Sequence, residues 1–489
     1  MLTGAPASQQ GTEQVAPEIQ GAYVWGIAAV AAIGGFLFGD DWVVIGGARP
    51  FYERYFGLQS AAQVGWANSC ALIGCFAGAL VAGLLARRFG RRPVLLLSAF
   101  LFAFSSILTG WSSSFESFVF WRIAGGAAIG LTSNISPVYI AEVSPAQWRG
   151  RLIALNQLAL VTGILAAQII NWQVARPVPS HLTAAAILAS WNVQVGWRWM
   201  FTVVAAPAVA FFCLCFAIPE SPRWLVLKGR EVQARRVLAR IGGPAYADAE
   251  IEAIRATTLR KGVLPWRELG KPGLRGLLLL GVALAVLQQW SGINILFNYA
   301  QEVFAGAGYG TSDILFNIVI TGSINFVFTL LAMLIVDRVG RRTLMIAGCV
   351  GVGLAHLASS AAYHAGLHGR GVLLLTFAAI AIYAVTLAPV TWIIIAELFP
   401  NRVRETAVSI AVGALWASSF ALTYSFPLLQ AALHMTGVFV LYGSICLAGA
   451  WMVKAFVPET RGRSLESMDA HAPVPDEEIT HHPRSGTRT

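Results

Sequence analysis

Two adjacent carboxylates, Asp40 and Asp41, sit in GFLFGDDWVVIGG (residues 35–47), inside a run that is otherwise apolar from Ala22 onward. A carboxylate facing lipid costs roughly 2.5–3.5 kcal/mol at a helix centre on insertion scales, so this charge needs a partner or a task. The other strong charge well inside the outer part of the first half of the chain is Arg122, in FVFWRIAGG (residues 118–126). The run holding Asp41 ends near Ala48, seven residues on, and the run holding Arg122 begins near Phe115, seven residues back. At about 1.5 Å per residue both side chains lie roughly 10 Å below one membrane boundary, where opposite charges pair and lower each other's cost. Successive helical residues point about 100° apart, so Asp40 and Asp41 cannot face Arg122 equally. A second polar cluster, Gln288, Gln289 and Asn294, interrupts LQQWSGINILFNYA (residues 287–300). Amides offer both donors and acceptors, which suits a hydroxylated solute. Ser291-Gly292 is a place for a helix to unwind and let backbone approach a ligand. Plain interhelical hydrogen bonding, worth about 0.6–2 kcal/mol per contact, accounts for one such amide better than for several.

The elements that must carry these groups are membrane helices. Of 489 residues, 56% are hydrophobic and only 12% charged, against about 25% charged in soluble chains. Many runs exceed the roughly 18 residues of a spanning helix, and they do not alternate as barrel strands do. Twelve spans are expected, at about 22–47, 64–86, 93–111, 115–141, 151–173, 198–218, 273–303, 312–336, 343–363, 372–398, 404–430 and 434–457. Residues 1–20 contain no Lys or Arg, so no signal peptide is expected and the first run is read as a retained span. Basic residues gather after the even-numbered spans: Arg87, Arg88, Arg91 and Arg92, then Arg149 and Arg151, then twelve Lys and Arg in 219–275, then Arg338, Arg341 and Arg342, then Arg402 and Arg404. The other loops hold only Arg49, Arg54, Arg176, Arg198 and Arg370. By the positive-inside rule the even loops and both termini are cytoplasmic. The formal net charge of +10 is therefore a topology signal and not a nucleic-acid footprint. The six cysteines all lie in apolar runs, spaced neither for zinc nor for disulfides, and read as small buried hydrophobes.

The chain also repeats itself. RFGRRPVLLL (88–97) matches RVGRRTLMIA (338–347), IAEVSPAQWR (140–149) matches IAELFPNRVR (395–404), and PESPRWL (219–225) matches PETRGRSL (458–465). Two like halves around a midplane site are a transporter architecture. The expected fold is thus an all-α membrane protein, with twelve transmembrane helices in two pseudo-symmetric six-helix halves. Its expected divisions are an N-terminal cytoplasmic tail (1–21), a first bundle (22–218), a cytoplasmic linker of short amphipathic helices (219–272), a second bundle (273–457) and a polar tail (458–489) without fixed structure.

With RFGRR (88–92), DRVGRR (337–342), PVYIAEVSP…RG (137–150), PESPRWL (219–225), QQWSGIN (288–294), AELFPNRVR (396–404) and PETRGRSLE (458–466), the sequence resembles the sugar porter family of the major facilitator superfamily over residues 22–466. Within that family it is similar to bacterial xylose/hexose–proton symporters. Acids and arginines meet where spans leave the membrane: Glu142 with Arg149, Glu220 with Arg223, Asp337 with Arg338 and Arg341, Glu397 with Arg404, and Glu459 with Arg461. The resemblance implies that they bridge the halves when the protein faces outward and release when it faces inward. It adds sugar contacts at Gln157, Asn325 and Trp392 to those at Gln288, Gln289 and Asn294, with aromatic walls at Phe38 and Trp416 and a retained Tyr299. It also selects Asp41, paired with Arg122, as the proton-coupling carboxylate. Several positions depart from the pattern: Arg87 for an Asp in the first GRR loop, Leu415 for an amide, Asn298 for a Tyr, Ala388 for a Gly and Asp40 for a Tyr. The implied function is import of a monosaccharide, a pentose or hexose, with protons as the coupling ion. No other cofactor, no metal, no nucleic-acid partner and a monomeric state in the plasma membrane are expected. Asp40 has three readings here: lining the external vestibule, sharing a proton with Asp41, or contacting water. A facilitative uniporter is the main alternative. A non-transporting sensor fits poorly with so short a tail, and an enzyme lacks a catalytic motif.

Overall fold

The computed structural model describes residues 19–177, 183–259, 269–306, 308–367, 369–399 and 403–458. Residues 1–18 and 459–489 of the expected tails, Glu459 and Arg461 among them, and the side chain of Asp337 lie outside the described residues. In chain order the helices are α1 (Gly21–Phe56), α2 (Ala61–Phe89), α3 (Arg91–Gly110), α4 (Phe115–Val143), α5 (Arg149–Val174), α6 (Ala184–Leu188), α7 (Trp197–Thr202), α8 (Ala205–Cys215), α9 (Pro222–Leu227), α10 (Glu231–Leu259), α11 (Pro272–Trp290), α12 (Ile293–Asn298), α13 (Ala300–Gly306), α14 (Thr311–Val339), α15 (Arg341–His364), α16 (Arg370–Val385), α17 (Leu387–Leu398) and α18 (Arg404–Phe456). No strand occurs among the described residues.

Ten helical segments are long and apolar enough to cross a membrane. One of them, α18, has 53 residues and breaks at His434, where φ is 56°. At 1.5 Å per residue its length of about 80 Å far exceeds one bilayer core, so it is two crossings. The 29-residue α4 is a further crossing, made less apolar by Arg122, Thr132, Ser133 and Asn134. Twelve crossings result, as the hydropathy pattern predicts.

The internal repeat is visible in the backbone. Gly90 between α2 and α3 and Gly340 between α14 and α15 turn the two GRR segments with φ of 105° and 102°, a region that costs glycine little. Ser60 caps α2 through a capping box with Gln63, and Ser114 caps α4 by accepting from the Ser117 N–H. The linker forms α9 and α10, the latter kinked at Gly242 and Gly243, matching the expected amphipathic helices.

Two boundaries differ from the sequence reading. The first span does not stop near Ala48, because α1 runs on to Phe56. Its extra turns are held by an aromatic cluster: Tyr52 and Phe56 pack on Phe118 with tilted rings at 5.0 and 5.5 Å, and Tyr55 and Phe56 both approach Trp197 at 5.5 Å. Arg49 is consequently buried within a helix and is not a loop residue. Arg198 is likewise no loop residue: its Nη1 donates to the carbonyls of Gly110 and Ser112 at 2.9 Å each, stitching α7 to the end of α3.

Within the first half, α2 and α4 approach until backbone meets backbone. A Cβ on Gly74 would stand 2.0 Å from the Ile123 carbonyl oxygen, and one on Gly126 1.9 Å from that of Ala71. These small-residue seams replace the hydrophobic drive that helices lack in lipid. The halves meet where α2 packs on α18 and α5 on α14. Gly126→Leu must separate α2 from α4, a clash at or above the roughly 3 kcal/mol upper range of core overpacking. It is expected to cut folded yield and lower the melting temperature in detergent. Gly83→Leu, with no atom within 4 Å of the added carbon, is expected to leave both unchanged.

Candidate functional site

The pairing expected between spans 1 and 4 is present. Arg122 Nη1 donates to Asp41 Oδ1 at 2.9 Å, and both side chains are 4% exposed. The α2–α4 seam and Gly34, whose α carbon faces Thr132 and Ser136, bring α1 and α4 close enough for the contact. The guanidinium also lies 5.3 Å from the Phe201 ring centroid. The pair is only half satisfied: Asp41 Oδ2 and Arg122 Nε are buried without a hydrogen-bond partner. Beside it lies a void of about 10 Å³, lined by Trp42, Asn68, Cys75, Arg122 and Asn298 among others, about the volume one water requires. Asn68 holds its amide nitrogen on the Val64 carbonyl at 3.0 Å and keeps its oxygen free. Asp40 is 1% exposed, with neither carboxylate oxygen hydrogen-bonded. In this conformation it lines no open vestibule and meets no bulk solvent.

The break expected at Ser291-Gly292 is also present, between α11 and α12. Gly292 has φ of 82°, and a Cβ there would lie 2.9 Å from the Tyr442 ring and 3.0 Å from His356 Nε2, so both conformation and space demand glycine. The freed carbonyl of Ser291 accepts from His356 Nε2 at 2.8 Å; a carbonyl only accepts, so that nitrogen carries the proton. His356 was not found by sequence reasoning, since a single His within span 9 carries no local signal. Around the break, Gln289 Nε2 donates to Gln288 Oε1 at 3.2 Å and Asn294 donates to Gln289 Oε1. The three amides form one buried chain. Asn325 is buried on α14, Gln157 is half-buried on α5, and Trp392 is 38% exposed on α17. No hydrogen bond among the described residues joins these three to the amide chain. Phe38 and Trp416 meet across the halves, ring centroids 5.6 Å apart. Tyr299 is turned elsewhere: its hydroxyl donates to the Thr423 carbonyl at 2.6 Å. Asn298 and Leu415 are buried and Ala388 half-buried.

On the basic face, Arg91–Glu142 and Arg341–Glu397 each pair within one half. Glu142 takes Arg91 Nη2 at 2.7 Å and the Ser221 hydroxyl at 2.5 Å, not Arg149. Glu220 accepts backbone N–H groups of Arg91, Arg92 and Ser221 at 2.8, 3.3 and 2.8 Å, not Arg223. Glu220 thereby caps the start of α3, where the helix dipole favours an anion. Burial raises the Glu220 carboxyl above the usual glutamate range, and the three N–H donors oppose that. Arg341 approaches Glu397 at 3.8 Å, and Arg404 Nε donates to the Phe399 carbonyl. The opposite face is closed between the halves. Trp42 meets Phe297 at 5.9 Å, Trp66 meets Phe420 at 6.4 Å, and a Cβ on Gly46 would stand 2.6 Å from the Phe297 carbonyl oxygen.

Comparison with known proteins converges on one family. The model of the family described as sugar (and other) transporter matches residues 27–472. The D-xylose-proton symporter of Escherichia coli (strain K12) is 35% identical over 479 residues, covering 92% of this chain and 95% of that protein. The arabinose-proton symporter of Bacillus subtilis (strain 168) is 33% identical, covering 91% and 94%. Among solved structures, a partially occluded inward open conformation of the xylose transporter XylE from E. coli matches with a TM-score of 0.80 at 32% identity, over 91% of this chain and all of that one. The pseudo-symmetric twelve-helix body, broken at its centre and sealed on the face away from its basic loops, is the major facilitator fold, and the chain belongs to the sugar transporter family.

Proposed function

We propose that the protein imports a monosaccharide, a pentose or hexose, together with protons by alternating access. The observation that carries this reading is the buried Asp41–Arg122 ion pair at 2.9 Å, an otherwise costly charge placed beside an amide-lined helix break. The printed activities of the xylose- and arabinose-proton symporters support it. Transport rather than catalysis is the activity, protons serve as the coupling ion, and a monomer in the plasma membrane suffices. The positive-inside rule puts the basic face, with both termini, in the cytoplasm. The conformation described is then inward-facing, closed on the outside.

The amides of Gln288, Gln289 and Asn294, together with Gln157 and Asn325, serve the hydroxyl groups of the sugar. Phe38, Trp416 and Trp392 serve its C–H surfaces. Ligand must displace the amide–amide bonds seen here, so recognition exchanges one set of hydrogen bonds for another and net affinity stays modest. Tyr299, with its hydroxyl committed to Thr423, contributes at the outer closure. Leu415, Asn298 and Ala388 redraw the wall and the choice among sugars.

Protonation drives the cycle through electrostatics. While Asp41 is ionised it neutralises Arg122 and ties α1 to α4. A proton on Asp41 leaves a buried guanidinium uncompensated, and breaking such a pair costs on the order of 3–5 kcal/mol. That cost is relieved when α1 moves and Arg122 finds other partners. With sugar bound, the halves rock and both ligands leave to the other side. On the cytoplasmic side, Glu142, Arg149, Glu220, Arg223, Asp337, Arg338, Arg341, Glu397, Arg404, Glu459 and Arg461 make up the gate. Glu142, Glu220 and Glu397 are held within their own halves in this state and become available to the facing half when the inner side closes.

The uniporter reading keeps the sugar site and dispenses with Asp41. In vesicles bearing an inward-directed proton gradient, Asp41→Asn is expected to abolish sugar accumulation while leaving sugar exchange at equal pH within about threefold of wild type. Accumulation that survives unchanged in this variant refutes the coupling role. Gln288→Ala and Asn294→Ala are each expected to raise the KM for sugar about tenfold, corresponding to about 1.4 kcal/mol, with kcat reduced less. A KM unchanged in both places the sugar elsewhere.

A further inference from the structure

Arg49 is the residue whose surroundings the transport reading leaves unused. Its side chain is 5% exposed, and it stands between two carboxylates from opposite halves. Nε donates to Glu53 Oε1 at 2.5 Å, one helical turn further along α1. Nη1 makes an ion pair with Glu302 Oε2 at 2.5 Å, on α13 of the second half. The guanidinium also lies over the Tyr299 ring, 4.4 Å from its centroid, while the Tyr299 hydroxyl is anchored on α18 through Thr423. One cation therefore binds α1 to both α13 and α18, at the face where the halves are sealed. Both carboxylates are 20% exposed, so the cluster sits at the edge of the seal. Among the ion pairs described, Arg49–Glu302 is the one that crosses between the halves.

We propose that Arg49, Glu53 and Glu302 form a charged latch that closes the outer face in the inward-facing state and must open in each turnover before sugar can enter from outside. The proposal rests on the transport reading for its direction, but not for its geometry. The sign of its effect follows from the charges. With Arg49 present, a single positive charge holds two negative ones together. Without it, Glu53 and Glu302 face one another across the seam, and attraction becomes repulsion between like charges in a poorly solvated place. Loss of Arg49 must then favour the outward-open state more strongly than loss of either acid. A charge exchange, Arg49→Glu with Glu302→Arg, keeps one cation between two acids and restores the closure.

The test uses purified full-length protein without sugar or gradient. Spin labels are placed at Gln59→Cys and Leu367→Cys, which are exposed on the outer face of each half, in a Cys213→Ser background because Cys213 is the exposed native thiol. Pulsed electron–electron distance measurement on Arg49→Ala is expected to show a longer-distance population, with the open-to-closed ratio raised about tenfold, corresponding to about 1.4 kcal/mol. Glu302→Gln is expected to shift it in the same direction by less, and carries the test if Arg49→Ala fails to fold. The charge exchange is expected to return the wild-type distribution. Unchanged distances in both single variants, or an exchange that leaves the outer face open, overturns the latch. This readout involves no transport, so it can fail while proton-driven uptake stands, and the reverse.

Discussion

One ion pair, set where lipid surrounds the protein, constrains the rest of this molecule. Asp41 and Arg122 are affordable in the membrane only together, and only while α1 and α4 stay in register. Several features serve that register. Glycines on α1, α2 and α4 let backbones approach to contact, the aromatic cluster of Tyr52, Tyr55, Phe56, Phe118 and Trp197 fixes the outer end of α1, and Phe201 covers the guanidinium.

The second constraint is the broken span formed by α11, α12 and α13. Its two bends divide duties along one element. The inner bend at Ser291-Gly292 is flanked by the buried amide chain of Gln288, Gln289 and Asn294 and is stabilised by His356. The outer pieces, α12 and α13, carry Asn298, Tyr299 and Glu302 to the first half. Asn298 lines the same small void as Arg122, and Glu302 grips Arg49. The buried amide chain, the void beside Arg122 and the outer contact with Arg49 thus meet on a segment of about fifteen residues, which is a physical basis for linking their states.

Much of this was legible in the sequence because membrane helices impose a strict geometry. The pairing of Asp41 with Arg122, expected from two lone charges in apolar runs, is present, although the boundary at Ala48 used to judge their depth is not where α1 ends. Gly292 next to buried amides marked the helix break. The repeat of GRR segments announced two halves, and matching glycine turns at 90 and 340 realise it. What was not legible depended on tertiary neighbours. Proximity along the chain assigned Glu142 to Arg149, whereas α3 delivers Arg91 from 51 residues away. Arg49 looked like the end of a span because charge marks boundaries on average. Its true surroundings, Glu302 and Tyr299, come from 250 residues later, and no local pattern reports them. Asp40 kept three readings in the sequence, and here it is buried with neither carboxylate oxygen hydrogen-bonded.

The central claim is that Asp41, beside Arg122, carries the coupling proton. The most direct measurement is of the external pH of lightly buffered, energy-starved cells expressing the protein when sugar is added. The account requires an immediate alkalinisation that scales with sugar taken up, present in the wild type and lost in a chain whose residue 41 cannot titrate. Sugar entry without any proton movement, or alkalinisation that persists when residue 41 is neutral, would contradict it.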